Sequence, residues 1–340
     1  APGGAVLPLA RLAERVEAAL PGIRVVTLVP PATAGATALA WVTPRPGQPK
    51  PGFDQVFVDP YRGTILGTRL WGAARLDRAH LLPFLYKLHY TLHLKETGLL
   101  LMGLAALLWL IDTLIAVRLA LPRQGPWRRV FTLKWGASAM RLNFDLHRAG
   151  GLAAALLLGP LAFTGAAMNL RAWALPLVSA ASPVAPTSAE FVRALPVRPW
   201  PEAAIDWDKA RRAAQDVFHD AHVISVQRDP ERALYQVRLR SADDISDNGT
   251  LRLVIDAADG ALRYVWHPRV GSGGDRFFVW QYPLHSGQAL GLPGRIVTSA
   301  GGLATALLVV TGLVLWVRKR RSRAGGVAQE GEPLPIWDCR

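Results

Sequence analysis

Residues Lys87–Val117 read K-L-H-Y-T-L-H-L-K-E-T-G-L-L-L-M-G-L-A-A-L-L-W-L-I-D-T-L-I-A-V. From Leu99 onward only Asp112 and Thr113 interrupt an apolar run. A helix of about 19 such residues spans the ~30 Å hydrocarbon core of a bilayer. Ahead of it, His89 and His93 lie four residues apart, on one face of a helix. An unbroken helix would carry His89 ~15 Å above the apolar run. Gly98, or a tilted and protein-covered approach, has to lower it.

Composition agrees with a membrane protein. Of 340 residues, 51% are hydrophobic and 19% charged. The net charge of +14 is compatible with nucleic acid. Much of it, however, flanks apolar segments, as the cytoplasmic charge bias of membrane proteins does, so no nucleic acid partner is expected. A single cysteine, Cys339, excludes an internal disulfide framework, a cysteine zinc site and an iron–sulfur cluster.

Residues 1–79 read as a soluble module: an amphipathic helix (Leu9 to Leu20), two strand-like runs (Arg24 to Val29, Ala38 to Thr43) and a hairpin, F-D-Q-V-F-V-D-P-Y-R-G-T-I-L-G. Residues 80–117 are an amphipathic approach and the first membrane helix. The segment 118–148 carries seven Arg and Lys against one acid, Asp145, and is expected in the cytoplasm. A second membrane helix spans 149–170, with Pro160 inside it. Residues 171–280 form a second soluble module. It has a Pro-rich linker (Pro176 to Pro201), a helix (Trp207 to His219) and strands at Val223 to Arg228, Leu234 to Arg240 and Leu251 to Ile255. An approach segment and third membrane helix follow at 281–317. A basic cytoplasmic tail, 318–340, opens on R-K-R-R-S-R and reads as disordered from Ala324.

Two internal repeats stand out. A D-x-x-x-G turn occurs at Asp59/Gly63 and at Asp256/Gly260. An L-H pair with a glycine nine residues on occurs at His89/Gly98 and at His285/Gly294, each time leading into a membrane helix. From His147 the chain reads helix, module, helix; before it, the same unit lacks its first helix. A fourth helix is therefore expected upstream of Ala1, with a histidine at its cytoplasmic end. Both modules then face the periplasm of a Gram-negative cell. His89 and His285 stand at outer helix ends and His147 at an inner one.

F-V-D-P-Y-R-G-T-I-L-G, L-H-Y-T-L-H-L-K-E-T-G, D-L-H-R-A-G-G-L, L-A-F-T-G and P-L-H-S-G-Q-A-L-G-L-P-G-R followed by V-V-T-G-L-V-L-W, in this order, resemble the PepSY-associated transmembrane family, from about Leu9 to Arg321. The resemblance implies an α-helical membrane protein with two small α+β PepSY-like periplasmic modules. It has three transmembrane helices here and four in typical members. It further implies an iron-uptake-linked protein of the bacterial inner membrane, similar to haem-containing reductases of ferric siderophores.

Haem b is the expected cofactor, held by neutral imidazoles as axial iron ligands. His89 and His285 are the best-matched pair, at similar heights before their apolar runs; each could instead cap or anchor its helix. His147 matches the family's His-Arg motif and would pair with the histidine of the upstream helix; a lipid-headgroup contact is its other reading. His93 is an alternative ligand, a proton carrier, a substrate contact or an interfacial residue. His219 and His222, with Asp216 and Asp220 nearby, suit either a metal site or a solvated helix end, the latter preferred. His80 and His267 have no constellation around them. Asp112, inside the first apolar run, suits a proton path or a bond to a neighbouring helix.

Neither a nucleotide-binding glycine motif nor a hydrolase or zincin motif is present, so electrons come from a quinol or another donor. The leading expectation is a membrane electron carrier that reduces ferric iron or ferric siderophores. Trp266, Phe277, Phe278, Trp280 and Tyr282 then line a substrate surface or form an interfacial belt against lipid. The alternative is a membrane-tethered PepSY binding or regulatory module without redox activity. A transporter subunit ranks last, because the helices carry little charge.

Overall fold

The computed structural model describes residues 4–122 and 124–326. Helix α1 (Leu9–Ala19) buries Leu9, Leu12, Ala13 and Val16, the i, i+3, i+4, i+7 stripe of an amphipathic helix. It lies on strands β1 (Ile23–Val29), β2 (Ala38–Pro44), β3 (Gln55–Val58) and β4 (Ile65–Arg69). Each strand pairs antiparallel with the next. The second half supplies α5 (Arg171–Ala181), α6 (Ser188–Ala194), α7 (Trp207–Val217), β5 (His222–Asp229), β6 (Leu234–Arg240), β7 (Leu251–Asp256) and β8 (Leu262–Trp266). α5 and α6 correct the reading of Pro176 to Pro201 as a linker. α6 starts on a capping box, Thr187 with Glu190, that was legible as T-S-A-E.

The two modules are not separate sheets. They join edge to edge in one eight-stranded sheet of order β4-β3-β2-β1-β5-β6-β7-β8. The seam is short: Thr27 opposite Gln227 and Leu28 opposite Val226. One core, containing Leu12, Val16, Leu28, Val226, Trp207 and Leu253, lies beneath α1 and α7. Pro8 precedes α1 and supplies no side-chain cap. The buried Asp208 of α7 does so instead, accepting the N–H groups of Leu9 (3.1 Å) and Ala10 (2.9 Å). A carboxylate at a helix N-terminus satisfies orphan donors and complements the dipole. The second half of the sheet thus caps the helix of the first.

The repeated turn is real at atomic level. Gly63 N donates to Asp59 O (2.8 Å) and Gly260 N to Asp256 O (3.0 Å). Both glycines have positive φ, 67° and 78°. The N–H groups of Tyr61 and Arg62 hold the Asp59 carboxyl below the usual carboxylate range. Asp256 is buried and pairs with Arg198 (2.6 Å) and Arg263 (2.7 Å).

Among the described residues, three helices are long and apolar enough to cross a membrane. They are α3 (Lys95–Ala120), α4 (Ala139–Asn169, with Pro160 inside) and α9 (Gly291–Gly326). Leu108, Leu114, Leu303 and Leu307 stand exposed on α3 and α9, as lipid-facing residues do. The tail from residue 327 lies outside the described residues, and 318–326 continue α9. Two short helices, α2 (Leu81–Thr91) and α8 (Gly273–His285), precede α3 and α9. Contacts divide the chain into Ala1–Leu104 with Gly165–Leu284, and Ala105–Thr164 with His285–Arg340. The sheet belongs to the first unit.

Candidate functional site: two histidine–threonine pairs

His285 ends α8. Its Nδ1 lies 3.0 Å from the carbonyl oxygen of Leu161 and 3.0 Å from Thr164 Oγ1, both on α4. Thr164 donates its own proton to the carbonyl of Pro160, at 2.8 Å. A carbonyl only accepts, and the threonine hydroxyl is already committed as a donor. The proton between them is therefore assigned to His285 Nδ1, which puts the imidazole lone pair on Nε2.

The same device recurs on α9. His147 Nδ1 lies 2.9 Å from Thr311 Oγ1, and Thr311 donates to Leu307 O at 2.8 Å. Asn143, one turn before His147, donates to Thr311 O at 3.1 Å. Gly312 makes room: a Cβ there would stand 3.0 Å from His147 Cε1. An imidazole whose Nδ1–H is held by an oxygen, leaving Nε2 as the basic nitrogen, is how proteins present histidine to a metal. A neutral imidazole held in this way has the chemistry of an axial ligand to haem iron. Along α4, the 17 residues from His147 to Thr164 amount to ~25 Å. One group cannot engage both.

His89 lies in the last turn of α2 as His285 lies in the last turn of α8. The helix after His89 is broken, not continuous. Leu92 and His93 take left-handed conformations, φ 50° and 59°, and α3 begins at Lys95. A Cβ on Gly98 would fall 1.6 Å from the carbonyl oxygen of Thr91. Gly294 meets Gly287 in the same way, at 2.2 Å. Both carbonyls lie seven residues before their glycine and two after their histidine. The L-H…G repeat therefore encodes a helix, a tight turn and a spanning helix that starts against the turn. The turn removes the height that a continuous helix would have imposed on His89.

His93 belongs to that turn. Its Nε2 donates to Phe84 O at 3.1 Å, and its ring stacks on Phe84. His219 and His222 do not share a helix, since α7 ends at Val217 and His222 opens β5. Both are exposed, and among the described residues no group of three or more His, Cys, Asp or Glu is placed to hold a metal ion. His80 does have a partner: its Nδ1 contacts the Asp77 carboxylate at 2.8 Å. Burial and the Arg269 guanidinium hold the His267 imidazole below its ordinary range. Asp112 is not buried by protein on α3. Phe278 lies under the Arg171 guanidinium, at 4.1 Å, and edge-on to Phe277.

Thr164 and Thr311 lie in L-A-F-T-G and V-V-T-G, and neither motif by itself marks a histidine partner. The recurrence of Thr-Gly inside two apolar spans was the available signal. Asp145 is fully buried and accepts from Arg141 (3.2 Å), Arg148 (3.1 Å) and the backbone of Lys134 (3.3 Å).

A comparison with curated proteins finds no match. A family model does match, and over nearly the whole chain, residues 5–319; with its three apolar helices, the chain is a membrane protein that belongs to the family described as the PepSY-associated TM region.

Proposed function

We propose that this chain is a haem b electron-transfer protein of the bacterial inner membrane that reduces ferric iron or ferric siderophores in the periplasm during iron uptake. The observation that carries the reading is the pair of histidine–threonine contacts at opposite ends of α4. A haem b bound there supplies one-electron transfer, with its potential set by axial ligation and burial. The residues of the chain do the rest. Thr164 and Leu161 fix the His285 ring and its tautomer, and Thr311 does the same for His147. His89 is a further candidate ligand by its matching place in the repeat, and His93 supports the turn beside it.

The basic segments 118–148 and 318–321 orient the bundle with His147 toward the cytoplasm and His285 toward the periplasm. A quinol or another donor would deliver electrons on the inner side. The substrate would be reduced on the outer side. In the competing reading, a tethered binding module, the histidines only brace helices.

The threonines separate the two. Thr164→Val keeps shape and volume but removes the acceptor and leaves the helix packing intact. Haem occupancy titrated in the purified protein should weaken ~10- to 100-fold, the usual cost of losing such a partner. Colourless unaltered protein, from cells with adequate haem, would favour the binding module.

A further inference from the structure

Arg238 on β6 and Arg252 on β7 stand directly opposite each other, and Arg252 stands opposite Trp266 on β8. Their strand neighbours Val237, Leu239, Leu251 and Leu253 point into the core beneath α1 and α7. The row Arg238–Arg252–Trp266 thus occupies the other face. Like charges directly opposed on adjacent strands repel, so the fold needs a reason to keep them there.

Among the described residues no ion pair joins either arginine to a carboxylate, although the Asp244 charge favours the Arg252 cation. Beyond its strand pairing, Arg238 makes no side-chain hydrogen bond or ion pair with a described residue. Arg252 Nη1 donates only to backbone carbonyls, of Gly249 (2.8 Å) and Leu251 (3.0 Å). Arginines close by are paired: Arg240 with Asp247 at 3.0 Å, Arg269 with Asp243 at 2.8 Å. The nearby Asp244 directs its oxygens elsewhere, to Ser246 N, Thr250 N and Thr250 Oγ1. Burial pushes the Arg238 guanidinium down. Burial, with Arg238 beside it, pushes Arg252 down to about 9.

Both arginines line a cavity of about 250 Å³, together with Phe278 and Tyr282 of α8. Trp266 lines it too, and its indole N–H is buried with no partner among the described residues. Thr250 and Asn248 add polar groups at the wall.

We infer that this cavity is an oxyanion site, in which Arg238 and Arg252 hold a phosphate or carboxylate group beside the Trp266 N–H. Guanidinium forks match both groups bidentately, and two cations suit a doubly charged one. The volume admits inorganic phosphate, citrate or the headgroup of a larger molecule. α8 ends at His285 and α9 begins at Gly291, so a lipid phosphate is one source and a soluble anion the other. The inference does not depend on haem.

The test uses the full chain in nanodiscs of phosphatidylcholine. Melting is followed with phosphate or citrate against chloride at equal ionic strength, and again in discs containing phosphatidylglycerol. A ligand at ten times its Kd or more should raise Tm by ~3 °C. In Arg238→Gln that rise should vanish, while the melting point in chloride holds or increases, because repulsion is relieved. A rise with soluble anions identifies a soluble ligand; a rise only with phosphatidylglycerol identifies a lipid headgroup. If Arg238→Gln does not fold, Trp266→Phe carries the test, with anion binding ~5-fold weaker expected from the lost N–H. The proposal is overturned if neither anions nor phosphatidylglycerol shift the unaltered protein. It is equally overturned if the variant that folds responds as the unaltered protein does.

Discussion

Gly98→Ala should abolish recovery of folded protein, or lower its stability by about 4 kcal/mol or more. The added Cβ would fall 1.6 Å from Thr91 O, a covalent distance, and the neighbour is backbone rather than a side chain that can swing away. Ordinary overpacking costs ~1–3 kcal/mol because side chains yield; here the turn between α2 and α3 has to open. That turn already holds Leu92, His93 and Lys95 at positive φ, so it has little slack. Gly302→Ala, also in a spanning helix but with nothing within 4 Å, is the control and should be neutral or slightly stabilising. Size-exclusion profiles and thermal melts in detergent read both. A Gly98→Ala protein that melts like the unaltered one would mean that the approach to α3 is not the close-packed turn described here.

Asp145→Ala should cost ~3 kcal/mol. The carboxylate is fully buried, whereas Arg141 and Arg148 keep side-chain exposures of 40% and 24%. Solvent therefore screens part of the loss, which brings the expectation to the lower end of the ~3–5 kcal/mol seen when a buried pair is broken. Asp145 also accepts the N–H of Lys134, so it ties the basic segment back to α4 two residues before His147. Thermal melts give the loss directly. Asp145→Asn, which keeps an acceptor but no charge, should recover part of it. Equal stability of all three proteins would place the two arginines in a solvated, unstructured segment instead.

Much of the architecture can be read locally. The D-x-x-x-G turns are short-range, and their glycines are needed for positive φ. The apolar runs declare α3, α4 and α9 by length. The fusion of the modules into one sheet was not legible, because the β1–β5 seam rests on two residue pairs about 200 positions apart. The break after Thr91 was hidden for another reason: leucine and histidine are not turn residues, and only the downstream Gly98 reveals the constraint. At the site, the histidines were visible by type and by repeat. Their threonine partners lie 121 and 164 positions away, on other helices, and helix packing rather than local propensity brings them together.

We propose that His147 and His285 each hold a separate group, at opposite ends of α4. The most direct measurement is the reduced-minus-oxidised absorption spectrum of purified protein from haem-replete cells. It is recorded for the unaltered chain, for His147→Ala, for His285→Ala and for the double variant. The expected result is a haem b spectrum that loses a separate part in each single variant and both parts in the double one. A well-folded but colourless protein, or a spectrum unchanged in the double variant, would contradict it.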